Sequence, residues 1–191
     1  MTKQNLDHPK VIVFPPLVLA TTVALAIALQ WLMPLLFLSN IDRTWRITIG
    51  AAIFAVGLSI CLIARRALIS HGTNVNPLRP TTALATEGIF NWTRNPIYVG
   101  GTTVMIGIAL VFALDWLLAL IVPSVLVLHF AVVKREEEYL ARKFDEEYRR
   151  YTTRVPRYLW FFARGRRRWP PASLLASLPI LMACSVMSSD T

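Results

Sequence analysis

Arg94-Asn95-Pro96-Ile97-Tyr98-Val99-Gly100-Gly101 opens one long apolar run, and Glu136-Glu137-Glu138 follows the end of the next. Those two runs, Tyr98 to Leu114 and Trp116 to Val133, are separated only by Asp115. Each comes close to the ~20 apolar residues that cross about 30 Å of hydrocarbon as a helix, which satisfies its own backbone hydrogen bonds there. Together they read as a tight helical hairpin, with Asp115 as the expected N-cap of the second arm. The hairpin returns the chain to the side it left, and so sets the arginine-proline turn and the glutamates at one membrane boundary.

The rest of the chain extends this reading. It has 191 residues, 55% hydrophobic and only 16% charged, and a mean hydropathy of +0.51, more apolar sequence than a soluble core of this size uses. Two further runs reach or approach spanning length: Val13 to Leu38, with Pro15, Pro16 and Pro34 near its ends, and Ile47 to Ala64, stopped by Arg65-Arg66. The expected fold is all-α: an integral membrane bundle of about four transmembrane helices, residues 13–38, 47–64, 98–114 and 116–133, then a cytoplasmic amphipathic helix over 134–153. The first run is too long and too proline-bounded for a cleaved signal and reads as a retained span, long enough to tilt. Lys3, Lys10, Arg65, Arg66, Arg79, Arg94, Lys134 and Arg135 fall on one side against Arg43 and Arg46 on the other, which puts both termini in the cytoplasm. The tail, 172–191, is apolar from Ala172 to Met187, about 24 Å if helical, short of a span, and reads as interfacial or disordered.

A formal net charge of +9 calls for an anionic partner. Twelve of the 20 lysines and arginines lie between Lys134 and Arg168, directly after the last span. A lipid bilayer with anionic headgroups is therefore expected, and nucleic acid is not. Cys61 and Cys184 sit in separate apolar runs with no partner spacing, so neither a disulfide nor a metal site is expected.

Between the second and third runs, the connector 67–97 carries Gly72, Pro77, Pro80, Gly88 and Pro96 among several asparagines, the mark of irregular backbone. It delivers Arg94, Asn95 and Tyr98 to the first turn of a span, where helix N–H groups point outward. Gly100 and Gly101 follow one turn inside, at about 1 kcal/mol each relative to alanine. Close approach explains them, by a neighbouring helix or by a ligand, and both readings stand on the sequence alone. After the fourth run, Glu136, Leu140, Phe144, Tyr148 and Tyr151 recur at helical spacing and form the apolar stripe of an amphipathic helix. A carboxylate on that stripe is costly unless a cation or donor meets it, which makes Glu136 a candidate. Glu137 is rotated about 100° away. Glu138 with Arg142 and Glu146 with Arg150 read as surface ion pairs. Pro156 ends the helix and leaves Arg154 and Arg157 near the interface, where either guanidinium suits a carboxylate, a phosphate or a lipid headgroup. His129, inside the fourth run, reads as a neutral histidine bonded to a neighbouring helix.

Two separated blocks carry a resemblance. Gly72-Thr73, Pro77, Leu84-Ala85-Thr86-Glu87-Gly88-Ile89-Phe90 and Arg94-Asn95-Pro96-Ile97-Tyr98-Val99-Gly100 form the first; Glu136-Glu137, Leu140, Phe144, Tyr148, Tyr151 and Val155-Pro156-Arg157 form the second. In this order, one membrane hairpin apart, they resemble the isoprenylcysteine carboxyl methyltransferase family and, more distantly, its phospholipid N-methyltransferase relatives, over about half the chain. The chain departs from that pattern at Thr82 and Asn95, where the family often has histidine, at Ile89-Phe90, where it has Pro-Tyr, at Asp145, where it has glycine, and at Trp160, where it has proline.

The resemblance implies a single membrane methyltransferase domain over 1–171 that holds S-adenosylmethionine at the cytoplasmic face and takes a lipophilic, prenyl-like or lipid-like acceptor from the bilayer, with no metal. Leu84, Gly88, Arg94, Asn95, Pro96, Tyr98, Gly100, Glu136 and Glu137 match its cofactor region. Physically, the donor's sulfonium and ammonium suit Glu136, Glu137 and the face of Tyr98, and its carboxylate suits Arg94. As catalytic residues, Arg157 or Arg154 would orient a carboxylate acceptor, and Glu137 would act as base toward an amine or thiol. The alternatives are a sterol-reductase-type enzyme using a reduced nicotinamide cofactor, and a non-catalytic lipid-binding scaffold.

Overall fold

The computed structural model describes residues 11–76 and 80–158. Expectations placed on Lys3, Lys10, Pro77, Arg79, Trp160, the basic run 164–168, Cys184 and the tail 172–191 lie outside the described residues. Every regular element among the described residues is helical.

Helix α1 runs Pro15–Leu32, with a proline in its first turn where no N–H is needed. It is shorter than the 13–38 expected. Pro34 disfavours helical geometry at Met33, which sits at φ −139° and ψ 73°, and the chain leaves the helix there. At 18 residues, or about 27 Å, α1 matches a bilayer without the tilt a longer run would need. A 3-10 turn, Leu38–Asn40, leads to Asp42, whose carboxylate accepts the N–H groups of Thr44 and Trp45 and caps α2, Arg43–Ser70. Arg65-Arg66 ends the apolar run but not α2. Arginine is a good helix former, so the helix continues past the bilayer edge to 28 residues, about 42 Å, until Gly72 takes a left-handed φ of +66°.

The connector holds a second 3-10 turn, Gly88–Asn91, before α3, Pro96–Phe112. Helix α3 packs tightly along α2 because glycines face one another. A Cβ on Gly57 would lie 2.6 Å from the Val104 backbone nitrogen, one on Gly107 2.6 Å from that of Phe54, and one on Gly100 2.6 Å from Cys61 Sγ. Gly100 is thus a helix-packing residue, which settles the alternative left open above. The α3–α4 turn is closed by Ala113 at φ 54° and ψ 45°, with Leu114 N–H on the Ala109 carbonyl at 2.9 Å.

Helix α4, Asp115–Leu128, then begins, but Asp115 does not cap it. Its buried carboxylate accepts Leu38 N–H at 2.9 Å instead, tying the exit of α1 to the hairpin. On the same end, Arg46 donates to the Leu110 and Val111 carbonyls at 2.6 and 3.1 Å, satisfying the C-terminus of α3. A π-helical turn, His129–Val133, joins α4 directly to α5, Lys134–Arg154. Ile12 N–H donates to the Ala131 carbonyl in that turn at 3.1 Å and anchors the chain just before α1. Within α5, Asp145 is forced to φ 31°, a conformation that suits glycine better and costs about 1–3 kcal/mol in other residues. This is the position at which the resemblance carries a glycine.

Three described helical stretches are long and apolar enough to cross a membrane, those beginning at Pro15, Arg43 and Asp115, and α3 is an apolar helix of 17 residues. Their outer faces expose Leu17, Leu25, Ile27, Val56, Ile63, Val122 and Leu126. Such a continuous apolar exterior fits lipid, not water. Trp31 and Trp45, 85% and 67% exposed, lie at the end of the bundle opposite Trp92, as interfacial anchors do. The chain is an integral membrane protein.

Candidate active site

At the other end of the bundle from Arg46 and Asp115, the irregular connector, the start of α3 and the start of α5 converge. They converge because the α3–α4 hairpin brings residues 94–98 and 136–140 to one level, and because an apolar cluster of Ala64, Ala85, Phe90, Tyr148, Tyr151 and Val155 binds connector to α5. Tyr151 Oη donates to the Phe90 carbonyl at 2.8 Å within it. These elements enclose a cavity of about 400 Å³, within the ~300–1,000 Å³ usual for small-molecule sites. Leu68, Leu84, Ala85, Phe90, Leu140 and the two tyrosines form apolar walls, Asn74, Asn76 and Thr81 lie along the connector side, and Phe14, Pro15 and Pro16 border it from α1.

The polar groups concentrate on one wall. Tyr98, in the first turn of α3, donates its hydroxyl to Glu136 Oε2 at 3.0 Å. Burial pushes the Glu136 carboxyl up to about 7; the Tyr98 hydrogen bond opposes that and the neighbouring Glu137 charge adds to it. No lysine or arginine among the described residues forms an ion pair with Glu136. Glu137, one residue on and turned away, is instead held by two arginines: Arg94 Nη1 at 3.2 Å, and Arg157 through Nε at 2.9 and 3.0 Å and Nη2 at 2.6 Å. Those hydrogen bonds raise the Arg157 guanidinium above its ordinary range. Arg94 Nε is buried with no hydrogen-bond partner among the described residues. Tyr148 Oη accepts from Arg94 Nη1 at 3.5 Å; burial, and secondly Glu137, push this phenol up to about 12, so it stays neutral.

A strap after α5 closes the arrangement. Arg94 N–H donates to the Pro156 carbonyl at 3.0 Å, and the Arg157 carbonyl accepts from Thr93 Oγ1 and Asn95 Nδ2, both at 3.0 Å. Asn95 therefore spends its amide on the strap and makes no side-chain cap to α3, leaving the first-turn N–H groups of Ile97 and Tyr98 without intrahelical acceptors beside the cavity.

Of the residues expected to hold a cofactor, Leu84, Arg94, Asn95, Pro96, Tyr98, Glu136 and Glu137 line this cavity. Gly88 does not: it holds a left-handed φ of +59° in the turn before α3, with open space around it. Gly100 faces α2. Arg154 is exposed at the end of α5 and is not part of the cavity wall, and Arg157 sits behind Glu137 instead of facing the cavity. Glu137, read as a base, is engaged as the shared counter-ion of two arginines. The Glu146–Arg150 pair forms at 3.2 Å on the exposed face. His129 bonds through Nδ1 to Tyr158 Oη of the strap at 2.6 Å, not to a neighbouring helix. That contact, the π-turn and the part played by Phe14 to Pro16 escaped the sequence reading, since each depends on pairing between distant segments. Among the described residues no cluster of histidine, cysteine or carboxylates has metal-binding geometry.

Comparison with curated proteins returned no match. The model of phospholipid methyltransferases, in contrast, matches residues 45–147, a stretch from the start of α2 into α5 that includes Glu136 and Glu137, and over just more than half its length the chain belongs to the phospholipid methyltransferase family.

Proposed function

We propose that this protein is an S-adenosylmethionine-dependent membrane methyltransferase that binds the methyl donor in the cavity between connector, α3 and α5 and acts on a lipophilic acceptor delivered by the bilayer. One observation carries the reading: Glu136, a carboxylate that no lysine or arginine among the described residues pairs, and Arg94, whose buried Nε has no partner among the described residues, line the same largely apolar cavity. A ligand that satisfies both must carry cationic and anionic groups on an apolar frame. S-adenosylmethionine does so, and when bound it supplies a methyl group on an electrophilic sulfonium.

The residues present fit it. Glu136, oriented by Tyr98, meets a cation. Arg94 and the N–H groups of Ile97 and Tyr98 meet a carboxylate. Phe90, Leu84 and Leu140 offer apolar surface to a ring. Methyl transfer needs no covalent nucleophile, so the protein's part is to align two reactants, exclude water and hold charge. Phe14, Pro15 and Pro16 add an apolar border suited to a hydrocarbon-bearing acceptor. The cavity end also carries Arg65, Arg66, Lys134 and Arg135 against Arg43 and Arg46 at the other end, which supports a cytoplasmic site next to anionic headgroups.

Calorimetric titration of the purified protein with S-adenosylhomocysteine and with reduced nicotinamide dinucleotide tests this. Saturable binding of the first alone is the expected result. Binding of the dinucleotide alone would point to a reductase and binding of neither to a scaffold. With one arginine among the described residues that line it, the cavity gives a multiply anionic dinucleotide little to hold. Radiolabelled methyl transfer into membrane lipids, prenyl-cysteine analogues and small thiols then identifies the acceptor.

A further inference from the structure

We propose that Arg157 is a positioning residue for Arg94: it holds the Glu137 carboxylate so that Arg94 keeps donors free for a carboxylate on the cavity's ligand. The inference rests on the methyl-donor reading above. Arg157 contributes the closer grip on Glu137, with two nitrogens at 2.6 to 3.0 Å, against a single contact at 3.2 Å from Arg94. A guanidinium has five N–H donors in a planar fork. Arg94 uses Nη1 on Glu137 and keeps Nε buried without a partner among the described residues. Buried donors of that kind are uncommon in folded proteins and mark a place for an acceptor. Arg94 and Glu137 line the cavity; Arg157 stands behind them.

Removing the Arg157 side chain leaves Glu137 with one cation. Its carboxylate then closes on Arg94 in the two-toothed geometry that guanidinium and carboxylate favour, occupying Nε. The uncompensated negative charge also repels an incoming carboxylate. The backbone is held separately: the Arg157 carbonyl accepts from Thr93 and Asn95, and Val155 is buried. Truncation of the side chain therefore leaves the strap in place. Arg157 lies beyond the stretch matched by the family model, which ends at residue 147.

The test uses the full-length protein and two probes: S-adenosylhomocysteine, and 5′-methylthioadenosine, which lacks the amino-acid carboxylate and ammonium. Arg157→Ala is expected to weaken S-adenosylhomocysteine binding by about 10- to 100-fold, the usual scale for losing a supporting contact or a charge-assisted hydrogen bond. Methylthioadenosine affinity should stay within about twofold, and Arg157→Lys, which keeps the charge and loses the fork, should fall between. In a Glu137→Gln background the same Arg157→Ala change should cost less than about threefold, because no carboxylate is left to capture Arg94. This last comparison decides the question even where methylthioadenosine binds too weakly to measure. Equal losses for both probes, full retention of S-adenosylhomocysteine, or undiminished loss in the Glu137→Gln background would each overturn the proposal. A wild-type protein that binds neither probe would instead overturn the methyl-donor reading beneath it.

Discussion

Glu136→Gln separates a ligand-facing carboxylate from a merely buried one. The Glu136 carboxyl titrates at about 7 instead of 4.5, a difference worth about 3 kcal/mol between its protonated and ionised forms. The folded protein therefore keeps a proton that the unfolded chain loses between those two values. A raised carboxyl contributes stability that is complete below pH 4.5 and is lost as pH rises through about 7. Glutamine cannot ionise and still accepts the Tyr98 hydroxyl. Thermal unfolding should then show wild type and variant alike near pH 5 and the variant several degrees more stable near pH 8. Binding should show the opposite preference. A cation in the cavity favours ionised Glu136, so S-adenosylhomocysteine affinity should rise with pH up to about 7 and level off above it, with proton release below that pH. The glutamine variant should bind weakly and without this slope. Calorimetry in buffers of different ionisation enthalpy counts the protons. An affinity equal for both proteins, or an identical pH slope in the variant, would refute the assignment of Glu136 to the ligand's cation.

Two further predictions test the frame and the site boundaries. Gly57→Ala should destabilise by about 1–3 kcal/mol in detergent unfolding, as overpacking does, because its Cβ meets the Val104 nitrogen and Gly100 carbonyl at 2.6 and 2.8 Å. Gly101→Ala meets only a leucine methyl of α1 at 3.2 Å and should be near neutral. Arg94→Ala should weaken S-adenosylhomocysteine at least tenfold, on the scale of a lost charge-assisted hydrogen bond, whereas exposed Arg154→Ala should leave its affinity unchanged in the same titration.

Much of this architecture was legible in advance because membrane physics writes long signals. A span needs a sustained apolar run, so all four runs, the hairpin and the apolar stripe of α5 stood out. Their ends did not, for local reasons: Pro34 shortens α1 through Met33, and Arg65-Arg66 extends α2 because charged side chains stop a bilayer without stopping a helix. Contacts between distant segments were hidden. Asp115 stood where a cap belongs, yet it serves Leu38, 77 residues earlier, and Arg157 looked like an acceptor clamp while its partner is Glu137, 20 residues earlier. Gly100 carried an ambiguous signal, close approach by helix or ligand, that only its contact with Cys61 and Gly57 resolves.

The two adjacent glutamates show why the site needs geometry to be understood. Helical periodicity sets them about 100° apart on α5, but only the fold shows what each one meets. That rotation sends Glu137 toward two guanidinium groups, which compensate it and make it part of the scaffold. It sends Glu136 toward Tyr98 and the cavity, where a hydroxyl supports its charge but does not neutralise it. Burying a carboxylate without a cation costs several kcal/mol unless it takes up a proton, and Glu136 does so near neutral pH. A bound cation removes that cost. Glu136 therefore couples ligand charge to the protonation of the site, while its neighbour joins Arg94 to the strap through Arg157, so pH-linked binding should be lost on replacing Glu136 and kept on replacing Glu137.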